Sequence, residues 1–188
     1  MEISLIRHGK SQQTENSRIT SQEIQGWVKK YDTSGVFKVD HYPEGTSEKV
    51  AEANLLVTSH LKRSIESANL LHQQMKVFSD PLFREVELPV FPWNWRVKIR
   101  PNSWAIILRC LWYCGYAKEC ESLAEARKRA KQAAIQLVNY AEEYHSVVLV
   151  GHGFFNRLVA EELKKMGWKG NRKSSTRHWE YTTYSFST

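Results

Sequence analysis

The chain has 188 residues, the size of one ordinary globular domain, and 41% of them are hydrophobic, enough for a buried core. No apolar run approaches a membrane span, and Cys110, Cys114 and Cys120, within one predicted helical segment, match no zinc-binding spacing. We therefore expect reduced thiols in a cytoplasmic protein. The formal net charge of +7 favours anionic ligands; without a nucleic-acid-binding motif, we expect no specific nucleic-acid partner and no membrane partner.

The first predicted element is a β-strand over residues 2–7, which ends at Arg7-His8-Gly9. Open α/β sheets bind ligands at the carboxyl ends of their strands, and an arginine fork suits phosphate oxygens. Taken alone, the tripeptide is equally typical of a surface turn. A polar stretch over 11–25 is predicted to be helical after a loop. Residues 26–46, with three glycines and a proline, are predicted to be a connection.

The middle of the chain predicts a second strand and the helix that follows it. Residues 46–48 favour a helix start, residues 54–59 form an apolar run typical of a strand, and a helix is predicted over about 61–74. Arg63 then lies near a helix N-terminus, where unpaired N–H groups and the helix dipole attract an anion. A short strand is predicted over 75–79.

The second half of the chain repeats the first arrangement. A long helix is predicted over 119–144, and a strand over 146–150 ends in Gly151-His152-Gly153. A helix over 154–166 and a β-rich segment over 181–186 follow. Two histidines, each next to a glycine, are thus expected at the carboxyl ends of two strands.

Strands that alternate with helices predict an α/β fold, with three α/β/α layers and a mostly parallel central sheet, in a single domain over 1–188. In such a fold, two arginines, two histidines and a helix N-terminus converge on one edge of the sheet. Such a constellation can hold a dianionic group, so the sequence predicts a phosphoryl-binding site.

The motifs resemble those of the histidine phosphatase superfamily, which has the phosphoglycerate mutase-like fold. The matching blocks, in family order, are residues 5–11, 58–64, 83–85, 150–153 and 156–157. The resemblance implies that His8 is the catalytic nucleophile and that Arg7, Arg63 and the second catalytic histidine, His152, bind the phosphate. It also places Ser11 where a hydroxyl helps to hold phosphate, with helix capping as the alternative.

These residue types suit phosphoryl transfer. A neutral imidazole nitrogen can attack phosphorus, and fixed cations neutralise the charge that spreads over the transferring oxygens. No acidic cluster suggests a metal cage, so we expect a metal-independent enzyme without a cofactor. The leaving oxygen needs a proton, and the resemblance points to Glu85 as the donor. Glu87 is the alternative proton donor. If Glu85 or Glu87 only pairs with a surface arginine, that residue is not the donor.

Residues 90–118 are unusually rich in aromatic side chains. In relatives, the region after the acid covers the pocket, so the resemblance implies an aromatic cap over the substrate. We expect most of these side chains to pack a helix onto the body, and Trp93 or Trp95 to reach the pocket. Trp27 and Tyr31 fit a packing role or a pocket role equally well. The remaining histidines, His178 among them, fit no motif and are expected to be surface or packed residues.

Three functions fit this sequence. The favoured one is a phosphomonoesterase that acts through phosphohistidine on a small phosphorylated substrate or a phosphoprotein. A phosphoglycerate mutase shares the core, but its long substrate-recognising insertions are not recognisable here. A third possibility is a non-catalytic phospholigand-binding protein, which would not need all of the candidate catalytic and phosphate-binding residues, namely Arg7, His8, Arg63, Glu85 and His152. The basic stretch 164–177 is typical of a solvated face, and it could also steer anionic substrates.

Overall fold

Six strands form one mixed sheet at the centre of the computed structural model, which describes residues 1–72 and 74–187. The strands are β1 (Glu2–Arg7), β2 (Leu55–Thr58), β3 (Val77–Ser79), β4 (Ser146–Gly151), β5 (Lys169–Gly170) and β6 (Tyr181–Ser185). Their order in the sheet is β3-β2-β4-β1-β6-β5. The first four are mutually parallel, and β6 pairs antiparallel with both β1 and β5. The predicted mostly parallel sheet is confirmed.

In the described part of the chain, six helices accompany the sheet. They are α1 (Ile24–Thr33), α2 (Thr46–Ala51), α3 (Lys62–Leu71), α4 (Pro101–Tyr113), α5 (Leu123–Tyr144) and α6 (Gly153–Lys165), with one 3₁₀ turn at Pro81–Phe83. Position 73 of the helix predicted over 61–74 lies outside the described residues, as does position 188. Within the described residues, no helix combines the length and the apolar character that crossing a bilayer requires.

The two faces of the sheet bury separate apolar clusters because successive strand side chains point to opposite sides. Ile3 and Leu5 of β1 belong to a large cluster that includes residues of α5 and α6. Ile6 belongs to a smaller cluster that includes Val50 of α2 and Ala68 of α3. Helices therefore cover both faces, which confirms the three-layer α/β/α prediction.

The N-terminal half contains one wrong prediction. Residues 11–23 form no α-helix, and α1 begins only at the end of the stretch predicted to be helical. It continues through residues 26–33, which were predicted to be a connection. The apolar residues of this helix, Ile24, Trp27, Val28 and Tyr31, follow the i, i+3, i+4, i+7 spacing of a helical face. Gly26 is exposed, and a side chain there would meet nothing within 4 Å, so this glycine does not mark a turn.

The cysteines also depart from the prediction of a common helix. Cys110 lies in α4, Cys114 follows the last residue of that helix, and Cys120 lies before α5. All three thiols are free. Since α4 ends near Gly115, where the backbone has a positive φ of 95°, the predicted single helical segment is interrupted.

A third apolar cluster joins α1 to α4. Its buried members are Ile24 of α1, Phe91 of the connecting segment, and Trp104 and Leu108 of α4. The indole N–H of Trp104 donates to the carbonyl of Ile19 at 2.8 Å, which also holds the loop before α1. The aromatic-rich segment therefore packs on α1 through these residues, whereas Trp112 at the end of α4 belongs to the large cluster of the sheet.

Candidate active site

The first motif places His8 directly after β1, with 2% of its surface exposed. Its Nδ1 lies 2.7 Å from the carbonyl oxygen of Gly9, and because a carbonyl only accepts, Nδ1 carries the proton. Nε2 accepts a hydrogen bond from Nε of Arg63 at 3.2 Å. Both contacts fit one neutral tautomer, in which the Nε2 lone pair faces Arg63.

The electrostatic surroundings keep His8 uncharged. Burial lowers the pKa of His8 well below the ordinary histidine value, and the positive charges of Arg63 and Arg7 lower it further. The imidazole is therefore neutral at physiological pH, which is the form of histidine that can act as a nucleophile.

His152, from the second motif, lies beside His8. Their ring centroids are 5.1 Å apart, and His152 is completely buried as the residue that precedes α6. Its Nε2 is hydrogen-bonded to Oγ of Ser59 at 2.7 Å, whereas its buried Nδ1 has no hydrogen-bond partner among the described residues. Burial, and then the charge of Arg63, lower the pKa of His152, so this ring too is neutral without a ligand.

Two arginines flank the histidines. Arg7, the last residue of β1, donates through Nη1 to the carbonyl of Thr176, and its buried Nε has no partner among the described residues. Arg63, in the first turn of α3, is 2% exposed and forms an ion pair with Asp32 of α1, with 2.8 Å between Nη1 and Oδ1. The predicted pairs of arginines and histidines are brought together.

Glu85 lies at the N-terminus of α6. Its Oε1 accepts from the backbone N–H groups of Phe155 at 2.8 Å and Val86 at 3.0 Å, and Oε2 accepts from Phe154 at 3.2 Å. The carboxylate thus binds the free N–H groups of a helix that also begins beside His152. Glu87 instead is exposed and lies 3.9 Å from Nε of Arg84.

A cavity of about 750 Å³ opens beside these residues. Arg7, Arg63 and Glu85 line it, together with residues of α1 and α4. The wall of the cavity is formed by cationic, acidic and apolar side chains. The other charged lining residues include Lys29, Asp32, Arg84, Glu87, Arg109 and Glu119. The apolar lining residues include Trp27, Val28, Tyr31, Leu88 and Ala105. His8 contacts Arg63 and His152, but neither histidine is among the lining residues of this cavity.

A second cavity of about 420 Å³ adjoins the first and shares Arg7 and Tyr31 with it. Ser11 lines this second cavity and is buried, with its Oγ accepting from the backbone N–H of Gln13 at 3.2 Å. The predicted phosphate-binding hydroxyl is therefore next to Arg7 but is not a lining residue of the larger cavity.

Sequence comparison identifies the family. Residues 44–187 match the model of the histidine phosphatase superfamily, branch 1. The chain belongs to that superfamily. The matched residues begin after the first motif, so this match does not include His8. The proposal that His8 is catalytic therefore depends on the geometry described above. A search of curated proteins finds no significant match.

Solved structures of other phosphatases share the fold. The α-ribazole phosphatase of Shigella flexneri aligns with a TM-score of 0.58 and 14% identity, over 97% of this chain and 89% of that one. A mycobacterial glucosyl-3-phosphoglycerate phosphatase, solved in complex with VO3, aligns with a TM-score of 0.59 and 20% identity, over 97% and 91%. At such identities the likeness shows the fold alone, and the family match supports a phosphatase.

The two predicted cap tryptophans of this histidine phosphatase line neither cavity. Trp93 is 62% exposed and Trp95 47% exposed, and both pack against Phe91. The correction has a physical reason: the carbonyls of Trp93 and Trp95 accept from Oγ of Ser21, which ties this segment to the loop before α1. Trp27 and Tyr31 of α1 line the cavity instead.

Sequence reasoning missed two further neighbours of the site. Asp32 lies in α1, which was not predicted as a helix, although its apolar spacing could have revealed it. His178 was expected to be a surface or packed residue, yet its Nδ1 donates to the carbonyl of His8 at 2.8 Å. No motif surrounds His178, and only the antiparallel pairing of β6 with β1 brings it there.

Proposed function

We propose that this protein is a phosphomonoesterase that acts through a phosphohistidine intermediate on His8. The observation that carries the proposal is the single neutral tautomer of His8. Its Nδ1–H is bound to the Gly9 carbonyl, and its Nε2 lone pair faces a cationic group beside the cavity. A fixed lone pair among arginines is what in-line attack on a phosphoryl group requires.

In the first step, the Nε–H of Arg63 shifts its hydrogen bond from Nε2 of His8 to a phosphoryl oxygen, which frees the Nε2 lone pair. Nε2 then attacks phosphorus, and the bond from phosphorus to the leaving oxygen breaks as the N–P bond forms. The leaving oxygen takes a proton and departs as an alcohol. In the second step, water attacks the same phosphorus and gives a proton to the carboxylate that protonated the leaving oxygen, the N–P bond breaks, and the electron pair returns to Nε2. Inorganic phosphate leaves, and the free enzyme is restored.

Arg7 and Arg63 are proposed to bind the phosphoryl oxygens in both steps. The charge of the transition state spreads over those oxygens, so fixed N–H donors stabilise it. His152 is proposed to join them: its buried Nδ1 lacks a partner among the residues that the structure describes, and a bound dianion would favour its protonated form. Ser11 is proposed to contact phosphate only through the adjoining cavity.

We propose Glu85 as the proton donor for the leaving oxygen. It lines the cavity with Arg7 and Arg63, and the start of α6 holds both its oxygens. Glu85→Gln keeps the size of the side chain and one acceptor oxygen, loses the acceptor for the N–H of Phe154, and removes the acidic proton. It is expected to slow an alkyl phosphate far more than an aryl phosphate, whose leaving group needs little protonation.

Glu87→Gln is the matched control for Glu85, since it changes a carboxylate two residues away that is exposed to solvent. Equal losses on alkyl and aryl phosphates in Glu85→Gln would remove the acid role. If only Glu87→Gln slows the alkyl phosphate more than the aryl phosphate, Glu87 is the proton donor instead.

The remaining parts of the proposal concern the whole chain. We propose one domain over 1–188, with the segment 90–118 as its cap, and a reaction that needs neither metal nor cofactor. The substrate is proposed to be a small phosphorylated compound or a phosphoprotein. The compounds named with the solved neighbours, α-ribazole 5′-phosphate and glucosyl-3-phosphoglycerate, are first members of a substrate screen.

The test is hydrolysis of p-nitrophenyl phosphate in EDTA by the wild type, His8→Ala and His41→Ala, with an acid quench to trap phosphoenzyme. We expect turnover that resists the chelator, an acid-labile phosphoenzyme, and loss of both in His8→Ala alone. His41 is exposed and lines neither cavity, so it is the matched control.

Three outcomes would contradict the proposal. Activity that survives in His8→Ala would exclude the mechanism. Phosphoryl exchange with a bisphosphoglycerate in place of hydrolysis would indicate a mutase. Phosphate binding without turnover would indicate a phospholigand-binding protein.

A further inference from the structure

Arg63 is held on three sides before any substrate arrives. Its Nε donates to Nε2 of His8 at 3.2 Å, and its Nη1 pairs with Oδ1 of Asp32 at 2.8 Å. The guanidinium carbon lies 4.7 Å from the ring centroid of Tyr31, a distance typical of a cation–π contact. Two of these three partners, Tyr31 and Asp32, are consecutive residues of α1.

The guanidinium is rigid and planar, so fixing two of its nitrogens and one face fixes the third nitrogen as well. Nη2 accordingly has a defined position, and among the described residues it makes no hydrogen bond within the protein. Arg63 lines the larger cavity, so this donor is available to an oxygen of a ligand there.

Tyr31 is itself held in place. Its ring stacks on Trp27, with centroids 5.4 Å apart and an interplanar angle of 15°. The indole N–H of Trp27 donates to the carbonyl of Glu15 at 2.9 Å. Trp27, Tyr31 and Arg63 thus form a layered stack that links α1 to the site.

The ion pair contributes more to orientation than to stability. The Asp32 side chain is 42% exposed, and an ion pair with a partly exposed member contributes little to the free energy of unfolding. Arg63, at 2% exposure, is almost fully buried. Without Asp32, its charge would lose the acceptor that sets the angle of its plane.

We propose that Tyr31 and Asp32 are positioning residues that orient Arg63 for the phosphoryl group, an inference that rests on the proposed phosphatase function. Asp32 fixes the edge of the guanidinium and Tyr31 fixes its face, so that Nη2 is presented to a phosphoryl oxygen. Neither residue takes part in bond making or breaking.

The experiment compares kcat, KM and the inhibition constant of inorganic phosphate for paired variants, with p-nitrophenyl phosphate as substrate. Asp32→Ala and Tyr31→Leu are expected to lower kcat/KM by about tenfold to 100-fold, because misplaced groups cost on that order, and to weaken phosphate inhibition. Asp32→Asn keeps an oxygen acceptor and Tyr31→Phe keeps the ring, so both are expected to stay near the wild type. Asp40→Asn, at an exposed carboxylate outside both cavities, is the control.

Thermal unfolding accompanies each variant, and the Tyr31 pair decides the question independently if an Asp32 variant folds poorly. Unchanged kcat/KM in Asp32→Ala and Tyr31→Leu would overturn the inference, and so would a gain in Asp32→Ala, which would mean that Asp32 blocks Arg63. A loss in Tyr31→Phe equal to that in Tyr31→Leu would assign a direct role to the hydroxyl instead. Absence of turnover in the wild type would overturn the proposed function, and calorimetry of phosphate binding to the same variants would then decide the inference.

Discussion

At the scale of single residues, three histidines share one desolvated environment. Burial is the main cause that lowers the pKa of His8, His152 and His178, and positively charged neighbours add to it. In the unfolded chain the same side chains titrate near 6.5. Below that pH the unfolded chain therefore binds more protons than the folded one, and the free energy of unfolding must decrease.

We expect these histidines to leave stability unchanged above a pH of about 6.5 and to reduce it as the pH falls from there toward their folded-state pKa values. His152→Gln removes one of the three groups and is expected to make the decline between about pH 6.5 and 5 shallower. Urea unfolding at a series of pH values measures this, with exposed His41→Gln as the control. A decline in His152→Gln as steep as in the wild type would contradict the assignment.

At the scale of elements, Arg129 of α5 holds the segment that carries Glu85. Its Nη1 donates to the carbonyls of Leu82 and Arg84, both at 2.9 Å, and its Nε donates to Oε2 of Glu121 at 2.9 Å. The guanidinium also lies 3.9 Å from the ring centroid of Phe155. This one side chain therefore joins α5, the segment after β3, and α6.

Removing Arg129 should affect both stability and the proposed acid. Arg129→Ala removes the close partner of the nearly buried Glu121 and leaves it only the 3.8 Å contact with Nη2 of Arg84, so we expect the free energy of unfolding to drop by about 3–5 kcal/mol. We also expect the loss of activity to be larger on alkyl than on aryl phosphates, because Glu85 loses its support. Chemical denaturation and the two substrates measure these effects against Arg127→Ala, an exposed arginine of the same helix. If Arg129→Ala behaves like Arg127→Ala, Arg129 does not support this segment.

The sequence allowed the central elements to be predicted because their signals are local. The strands at 54–59 and 146–150 are apolar runs, and the two glycine-flanked histidines mark strand ends directly. α1 was missed because its polar residues and Gly26 obscured a helical period. The environment of His178 could not be predicted, because it arises from a long-range antiparallel pairing that leaves no local pattern. The position of Trp93 likewise depends on contacts with a distant loop.

At the scale of the whole molecule, the net charge of +7 acts on any anionic substrate. Within the basic stretch 164–177, Lys165 and Arg177 pair with nearby glutamates, whereas Lys169, Arg172 and Lys173 are exposed. Long-range attraction of this kind is screened beyond about 10 Å at 0.1 M salt. The charge should therefore affect capture of the substrate rather than its conversion.

Raising the salt concentration is expected to raise KM for a phosphate dianion several-fold and to leave kcat unchanged. Replacing Lys169, Arg172 and Lys173 with glutamine should reduce this salt dependence. Steady-state kinetics across a salt series measures both effects. The control replaces three exposed lysines outside both cavities together with glutamine, namely Lys38, Lys128 and Lys131. A KM that does not change with salt would show that the surface charge plays no part in capture.

The place of β1 in the sheet also bears on how the protein is made. β1 comes from the start of the chain, yet its register pairs Ile3 with Val147 on one side and with Tyr184 on the other. During synthesis, β1 therefore remains unpaired, with its apolar side chains uncovered, until most of the chain has left the ribosome. Such distant pairing slows folding and exposes the nascent strand to aggregation. We expect the newly made chain to depend on chaperones that shield short apolar segments until translation ends.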